Sequence, residues 1–235
     1  MVLALYLAQT ATEMAGNPQP ENFAYLACHF SPGGKGLSNL PFPLPQGAML
    51  ILDDSTPMDG HDPDLILQQL SGLIQENQCK YLLLDFQRRD VPGQGELAKR
   101  LCSSLSCPVG VSEIYAEGLS CPVFLPPVPP DRPLSAYLAP WHGREVWLEA
   151  ALDGIKLTLR ESGCAAEPLW DFPEDGLTDK KLHCHYTMET AADSAVFRLW
   201  RTKSDLNDLL TEADSKGVAK AIGLWQELGR STDSQ

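Results

Sequence analysis

Short runs of apolar residues recur along the chain, separated by turns rich in glycine and proline. Several runs are apolar at every position, a pattern typical of strands buried on both faces of a parallel sheet. The runs with the length and composition of strands are 23–30, 48–54, 81–86, 108–113, 122–125, 145–152, 155–160, 182–187, 195–200 and 219–225. The pattern therefore predicts a protein built on many short strands.

Helical periodicity fills some of the gaps between these runs. Segment 62–78 repeats aliphatic residues near helical spacing and begins with Asp62, a residue type that caps helix N-termini. Segment 95–105 has similar periodicity, and so has segment 204–217, with Ser204 as its expected N-cap. Since strand, helix and strand follow one another repeatedly, the sequence predicts βαβ units around a parallel sheet.

The composition changes between about residues 117 and 145. The stretch CPVFLPPVPPDRP (121–133) contains six prolines, which exclude a regular helix there. It is predicted to be a rigid connector, either a crossover that has lost its helix or a seam between domains. The length of 235 residues suits one large domain or two small ones, and we expect a single α/β domain over 1–235.

Charge limits the classes of partner. The chain has 18 Lys and Arg against 31 Asp and Glu, a net charge of −13. A nucleic-acid partner is not expected, because phosphate backbones require a basic surface. An anionic membrane surface is disfavoured for the same reason.

The seven cysteines indicate a reducing compartment. Their number is odd and no C-x-x-C spacing occurs, so they are interpreted as free thiols. The opening MVLALYLAQT has no Lys or Arg before its apolar residues, which makes it a poor signal peptide, and about ten residues are too few to span a bilayer. A cytoplasmic location is therefore expected.

Two stretches carry a resemblance to a known family. The first is segment 62–78 followed by KYLLLDFQ (80–87), and the second is the C-terminal run 182–229. Together they resemble the glycoside hydrolase family 18 barrels, the chitinase-like proteins, and especially their spore-wall hydrolase branch. The acidic positions of the family signature D-x-x-D-x-D-x-E, at the end of the fourth barrel strand, fall on Lys80, Leu83, Asp85 and Gln87. The matching positions of the C-terminal run are Gly217, Gly223, Trp225 and Gly229.

The resemblance implies a (β/α)₈ TIM-type barrel in which several helices are shortened or missing. At 235 residues the chain is slightly below the usual size of about 250 for this fold. The resemblance also implies that Asp85 and Gln87 end a central parallel strand, with Trp225 on a neighbouring strand that closes the barrel. An open, doubly wound α/β sheet is the alternative.

The resemblance implies a disarmed catalytic site. In the family, the glutamate of the signature protonates the glycosidic oxygen, and the aspartate two residues earlier orients the acetamido group of the substrate. Only Asp85 is retained, and Gln87 has no proton to give. Loss of a positioned general acid costs on the order of 10²- to 10⁴-fold in rate. We therefore expect Asp85 and Gln87 to be vestigial catalytic residues, and the chain to bind a saccharide or cell-wall fragment at the barrel mouth.

Other polar residues follow predicted strands, where barrel enzymes keep their chemistry. Asp53 and Glu113 are the candidates for substrate contacts, although capping of a turn explains such acids about as well. Trp225 is either a core ring or, as the resemblance implies, the floor under a sugar. Two further functions stay open, namely an active hydrolase that uses Asp53, Asp85 or Glu113 as its acid and a structural or protein-interaction barrel.

No metal or cofactor is predicted. His183 and His185 of HCHY are two ligands on one predicted strand face, but no third ligand is marked by spacing, which favours a polar strand face. The segment SPGGKG (31–36) lacks the pattern of a phosphate-binding loop. The sequence leaves the identity of the ligand and the oligomeric state open.

Overall fold

Thirteen strands form two separate sheets in the computed structural model, which describes residues 3–38, 44–58 and 60–229. The strands are β1 (Ala4–Gln9), β2 (Phe23–His29), β3 (Met49–Asp53), β4 (Tyr81–Asp85), β5 (Val109–Ser112), β6 (Val123–Leu125), β7 (Val146–Ala150), β8 (Gly154–Arg160), β9 (Gly163–Pro168), β10 (Leu177–Asp179), β11 (Cys184–Thr190), β12 (Ser194–Trp200) and β13 (Lys220–Leu224). The helices are α1 (Ala11–Gly16), α2 (Pro63–Glu76), α3 (Gln94–Ser104), α4 (Leu134–Leu138) and α5 (Lys203–Ser215).

Eight parallel strands close into a barrel. The order around the barrel is β1-β2-β3-β4-β5-β6-β7-β13, and β13 pairs with both β7 and β1. The predicted TIM-type barrel is therefore confirmed, and the open sheet is excluded. The strand β1 was missed, because its apolar run was weighed only as a targeting segment.

The expected loss of helices is also confirmed. Helices α1 and α4 have only six and five residues, and the connection from β5 to β6 has the 3₁₀ turn Glu113–Tyr115 in place of an α-helix. The helices α2 and α3 have full length, and Asp62 caps α2 as predicted by accepting from the backbone N–H of Asp64. The proline-rich stretch is a crossover that keeps only the short α4.

The N-cap of α5 differs from the prediction. Helix α5 begins at Lys203, and Thr202 rather than Ser204 is the cap. The Thr202 hydroxyl accepts from the backbone N–H of Asp205 at 3.2 Å, and the Asp205 carboxylate accepts from the backbone N–H of Thr202 at 2.9 Å. This reciprocal capping box satisfies the backbone N–H groups of Thr202 and Asp205. Ser204 lies inside the helix and takes no part in it.

The segment between β7 and α5 is a second sheet, and here the prediction of a parallel arrangement is wrong. The runs 155–160, 182–187 and 195–200 belong to an antiparallel sheet of order β10-β11-β12-β8-β9. Its hairpins are short, with residues 161–162 between β8 and β9 and 191–193 between β11 and β12. Connections of this length cannot hold the crossover that parallel strands require.

Bulky side chains fill the barrel interior below its mouth. Trp147 is fully buried there, with Met49, Leu83 and Phe124 in the same cluster. The ring of Tyr81 stands edge-on to that of Trp147, with centroids 5.6 Å apart. Gly110 leaves the space that the Trp147 ring occupies, because a Cβ at residue 110 would overlap it. The interior is therefore a packed core, as in other barrels of eight strands.

None of the helices in the described part of the chain is long and apolar enough to cross a membrane. The expectation that residues 1–235 form one domain stays a prediction.

Candidate functional site

The strand β4 carries Asp85 to the C-terminal end of the barrel. Leu83 lies in the interior cluster, so strand alternation places Asp85 on the same inward face one level higher. Gln87 follows just beyond the strand, and its side-chain amide donates a hydrogen bond to the Asp85 carboxylate. Burial raises the pKa of Asp85; the bond from Gln87 opposes this shift, and the charges of Asp53 and Asp54 add to it.

The position of Gln87 is fixed by Asp54, a contact that sequence reasoning missed. Asp54 is buried, and its carboxylate accepts from the backbone N–H groups of Gln87 at 3.0 Å and Arg88 at 2.9 Å. It also accepts from the side-chain amide of Gln94 at 2.9 Å. Because all three donors lie after β4, Asp54 anchors the loop that presents Gln87.

The candidate Asp53 lies beside Asp85 in the sheet register. One of its oxygens accepts from the backbone N–H of Ser55 at 2.8 Å, and the other is 3.6 Å from Nδ1 of His29. The first contact is a local turn bond of the kind expected for an acid at a strand end.

A cavity of about 150 Å³ opens beside Gln87, between the ends of β4, β5 and β6. Its lining includes the predicted residues Gln87 and Glu113 together with Arg89, and the ring of Phe124 supplies an apolar wall. Asp53, Asp85 and Trp225 are not among the lining residues of this cavity. The structure therefore brings Gln87 and Glu113 to one small opening and places the other candidates outside it.

Trp225 is not on a strand next to β4, so this part of the prediction is wrong. The strand β13 closes the barrel by pairing with β1 and β7, and β4 lies on the opposite side. Trp225 follows β13 as the first residue of a π-helical turn, Trp225–Gly229, and its half-buried ring packs against Gly229. A last strand that pairs with the first cannot also neighbour the fourth.

Sequence reasoning also missed Glu149 on β7. Trp147 of the same strand lies in the interior cluster, so alternation turns Glu149 inward, one level nearer the mouth. Burial, followed by the charges of Asp85, Asp153 and Glu227, raises the pKa of Glu149 to about 7. The signal was present in the run 145–152, where Glu149 interrupts the apolar residues, but the run was interpreted only as a buried strand.

Glu149 is part of a group of carboxyls at the mouth. Burial raises the pKa values of Asp153 and Glu227 as well, and the Glu227 carboxylate accepts from the backbone N–H of Leu152. A carboxyl that titrates near neutral pH can donate a proton where an ordinary one is ionised. Asp85 and Glu149 together therefore have the chemical capacity for acid–base work that the amide of Gln87 lacks.

The two histidines of HCHY do not form a metal site. His185 lies on β11 and its Nδ1 is 2.7 Å from the Asp205 carboxylate; His183 precedes the strand with φ +49° and its Nε2 is 2.6 Å from Glu212. His183 is therefore outside the strand on which it was expected, although both histidines contact carboxylates of α5. Within the residues that the structure describes, no three His, Cys, Asp or Glu side chains are grouped to hold a metal.

Comparison with solved structures shows which known proteins have a similar fold. The sequence matches no family model and no curated protein. Among solved structures, the spore cortex-lytic enzyme SleL of Bacillus megaterium superposes with a TM-score of 0.58 at 10% identity, over 97% of this chain and 71% of that one. A family 18 chitinase of Cycas revoluta, in complex with (GlcNAc)₄, gives 0.55 at 12% identity over 94% of both chains. A chitinase of Chromobacterium violaceum gives 0.53 at 10% identity, over 99% and 96%.

Proposed function

We propose, from the premise that the chain has the fold of the glycoside hydrolase family 18 barrels, that it is a distant member of that group. We further propose that it binds a saccharide at the barrel mouth and does not hydrolyse it by the mechanism of that family. The observation that carries the proposal is the amide of Gln87, which stands where the family has its acid and is bonded to Asp85.

The other signature positions support the same conclusion. Leu83 is packed in the barrel interior with 1% of its surface exposed, and Lys80 is an exposed cation at the start of the strand. Neither can replace the missing carboxylates. An amide still donates and accepts hydrogen bonds, so Gln87 is suited to hold a hydroxyl or acetamido group without protonating it.

The shape of the site supports a small ligand group. The cavity beside Gln87, at about 150 Å³, is smaller than the roughly 300–1,000 Å³ of typical ligand pockets. It suits one sugar unit, with Phe124 as the apolar wall and Glu113 and Arg89 as polar partners. We retain Trp225 as the proposed platform for a second unit across the mouth, with Asp53 and Asp85 as polar contacts between the two.

We expect weak binding of N-acetylglucosamine oligomers or muropeptides in calorimetric titrations, without release of reducing sugar. Gln87→Ala removes a hydrogen bond worth about 1 kcal/mol and should lower the affinity about fivefold. Trp225→Ala should weaken only the longer oligomers. Gln87→Glu should restore little hydrolysis, because Lys80 and Leu83 leave the rest of the carboxylate array missing.

Gln75→Ala is the matched control, since it makes the same change on the exposed surface of α2 and should bind as the wild type does. If neither ligand class gives a signal at about 10 mM, where even weak binding is detectable, the saccharide proposal fails. The interaction-barrel hypothesis then replaces it.

One observation favours a second candidate function, hydrolysis with a relocated acid. Glu149 has a pKa raised to about 7 by burial and by neighbouring carboxylates, among them Asp85. A carboxyl that stays protonated near neutral pH is typical of the acid in acid–base catalysts. In this alternative, Glu149 protonates the leaving oxygen and Asp85 stabilises the developing positive charge.

Glu149→Gln tests this alternative with two measurements. The folded state binds the Glu149 proton more tightly than the unfolded state, whose pKa is near the ordinary 4.5, so the stabilising effect is complete below pH 4.5 and lost as the pH rises through about 7. The thermal midpoint of the wild type should therefore fall between pH 5 and 8 by more than that of Glu149→Gln. If the wild type hydrolyses N-acetylglucosamine oligomers and Glu149→Gln does not, hydrolysis with Glu149 as the acid is established.

Glu161→Gln is the control for the pH effect, because Glu161 is an exposed carboxylate in the turn between β8 and β9. Its pH profile should follow that of the wild type. A Glu149→Gln profile parallel to the wild type would contradict the raised pKa of Glu149, and absence of turnover in the wild type would exclude this second function.

A further inference from the structure

Two cysteine side chains meet on the outside of the barrel, near the N-terminal ends of its strands. Cys102 lies in the last turn of α3, and Cys121 lies two residues before β6. Both are partly buried against the apolar layer between the helices α2 and α3 and the strands β2 to β5. Their thiols are in hydrogen-bond contact with each other, and we call Cys102 and Cys121 the thiol pair.

Arg144 holds the segment that carries Cys121. Its guanidinium donates to the carbonyl oxygen of Ala116 at 3.0 Å and to that of Cys121 at 2.8 Å. These two bonds fasten both ends of segment 116–121, so Cys121 is held beside α3. They also bring a permanent positive charge close to its thiol.

The two members of the thiol pair differ in acidity. The hydrogen bond with Cys102 is the main cause that lowers the pKa of Cys121 to about 7; burial opposes the shift, and the charge of Arg144 contributes to it. The same hydrogen bond raises the pKa of Cys102, which therefore keeps its proton and donates it to Cys121. A thiol with a pKa near the ambient pH combines a large thiolate fraction with good nucleophilicity.

We propose that the thiol pair is a reversible oxidation site, at which Cys102 and Cys121 form an intramolecular disulfide when the protein meets a peroxide. The Cys121 thiolate attacks one peroxide oxygen; an S–O bond forms, the O–O bond breaks, and the leaving hydroxide takes a proton to become water. The sulfur of Cys102 then attacks the sulfenic sulfur of Cys121. The S–S bond forms, the S–O bond breaks, and hydroxide leaves with the proton of Cys102 as a second water. The two sulfurs lose two electrons, which the peroxide oxygens gain.

The other five cysteines are less suited to this reaction. Burial raises the pKa of Cys28 to about 12 and that of Cys184 to about 11. Burial, followed by the charge of Cys107, raises the pKa of Cys79 to about 11, and burial raises that of Cys107 as well. Cys164 is exposed on β9 of the inserted sheet, β8 to β12, far along the chain from the thiol pair.

The disulfide would join two segments that also border the cavity beside Gln87. Helix α3 begins at Gln94, which bonds to Asp54, and the connection from β5 to β6 begins at Glu113, which lines the cavity. A link between residues 102 and 121 closes a loop in the unfolded chain and so favours the folded state. Oxidation should therefore raise the thermal midpoint of the protein by about 5–10 °C.

Disulfide mapping of the full chain tests the proposal. The reduced protein is treated with hydrogen peroxide, and the remaining thiols are blocked with iodoacetamide before digestion. Cleavage after Glu113 and Glu117 places Cys102 and Cys121 on different fragments, which only a disulfide can hold together. We expect these fragments to be joined after peroxide and to separate on addition of dithiothreitol. Non-reducing electrophoresis should show a single chain, because the bond is intramolecular.

Cys107→Ser is the matched control for Cys102→Ser, since both cysteines lie on the same fragment. The joined fragments and the rise in thermal midpoint should be lost in Cys102→Ser and kept in Cys107→Ser. Tandem mass spectrometry of the wild-type fragments distinguishes Cys102 from Cys107 without a variant, so the test holds if a variant does not fold. Fragments that stay separate after peroxide, that are joined through Cys107, or that remain joined in Cys102→Ser overturn the proposal. So does a disulfide between two chains.

Discussion

Replacing Arg201 with methionine is expected to destabilise the protein by about 3–5 kcal/mol, the cost of breaking a buried, bonded charge. The residue is 1% exposed. Its guanidinium donates to the carbonyl oxygens of His183 at 3.1 Å, Leu182 at 3.2 Å and Pro129 at 3.3 Å, and also to that of Val128. Methionine replaces the aliphatic part of the side chain but has no donors, so one buried and three half-buried carbonyl oxygens lose their partner.

Burial lowers the pKa of Arg201, while the Cys184 thiol and the nearby carboxylates of Asp153, Asp205 and Asp131 oppose that shift. An arginine remains charged under these conditions, so the comparison concerns lost hydrogen bonds and not a change of protonation.

Arg198→Met is the matched control for Arg201→Met. Arg198 lies on the same strand, β12, and pairs with Glu189 at 2.5 Å, but the Glu189 side chain is 67% exposed. Such a surface pair contributes about 0–1 kcal/mol. Urea unfolding of the two variants should therefore differ by several kcal/mol, and similar midpoints would contradict the structural role of Arg201.

Trp147→Ala is expected to cost about 3–5 kcal/mol through the cavity that it leaves in the barrel. The ring contacts Tyr81, the Nζ of Lys220 lies 4.9 Å from its centroid, and its Nε1 donates to Glu145 at 2.8 Å. The surrounding strands are closed into a ring and cannot collapse far into the space, which places the cost in the upper part of the usual range.

Trp170→Ala is the control for Trp147→Ala, because 90% of the Trp170 surface is exposed. It should change the free energy of unfolding by no more than about 0.5 kcal/mol. Guanidinium unfolding at low protein concentration separates this effect from any association of copies. A Trp147→Ala variant with near-wild-type stability would contradict a packed barrel interior.

The barrel could be predicted from the sequence because its strands are short apolar runs and its ending resembles a known family. The strand β1 has the same apolar character, but an N-terminal apolar run also suits a targeting segment. The inserted sheet was misassigned for a different reason. A run such as 155–160 has the same composition in a parallel and in an antiparallel sheet, and only the length of the connection separates the two.

The candidate site was predictable only where one strand determines it. Alternation along β4 is enough to place Leu83 and Asp85 on one inward face. The hydrogen bond that Asp54 accepts from the backbone N–H of Gln87 joins residues on two loops, and the position of Glu149 against Asp85 depends on barrel closure. Pairings across the barrel are long-range and leave no spacing in the sequence. The same absence explains why Trp225 was assigned to the wrong side.

The hydrogen bonds of Arg201 decide which parts of this chain can be exchanged independently. Its guanidinium joins carbonyls of the proline-rich crossover, at Val128 and Pro129, to carbonyls at Leu182 and His183 at the start of β11. Grafting the inserted sheet alone onto another barrel would leave the donor without half of its acceptors, and a barrel stripped of the sheet would keep two orphaned oxygens. The crossover and the inserted sheet therefore form one transferable unit, although more than fifty residues separate their contact points.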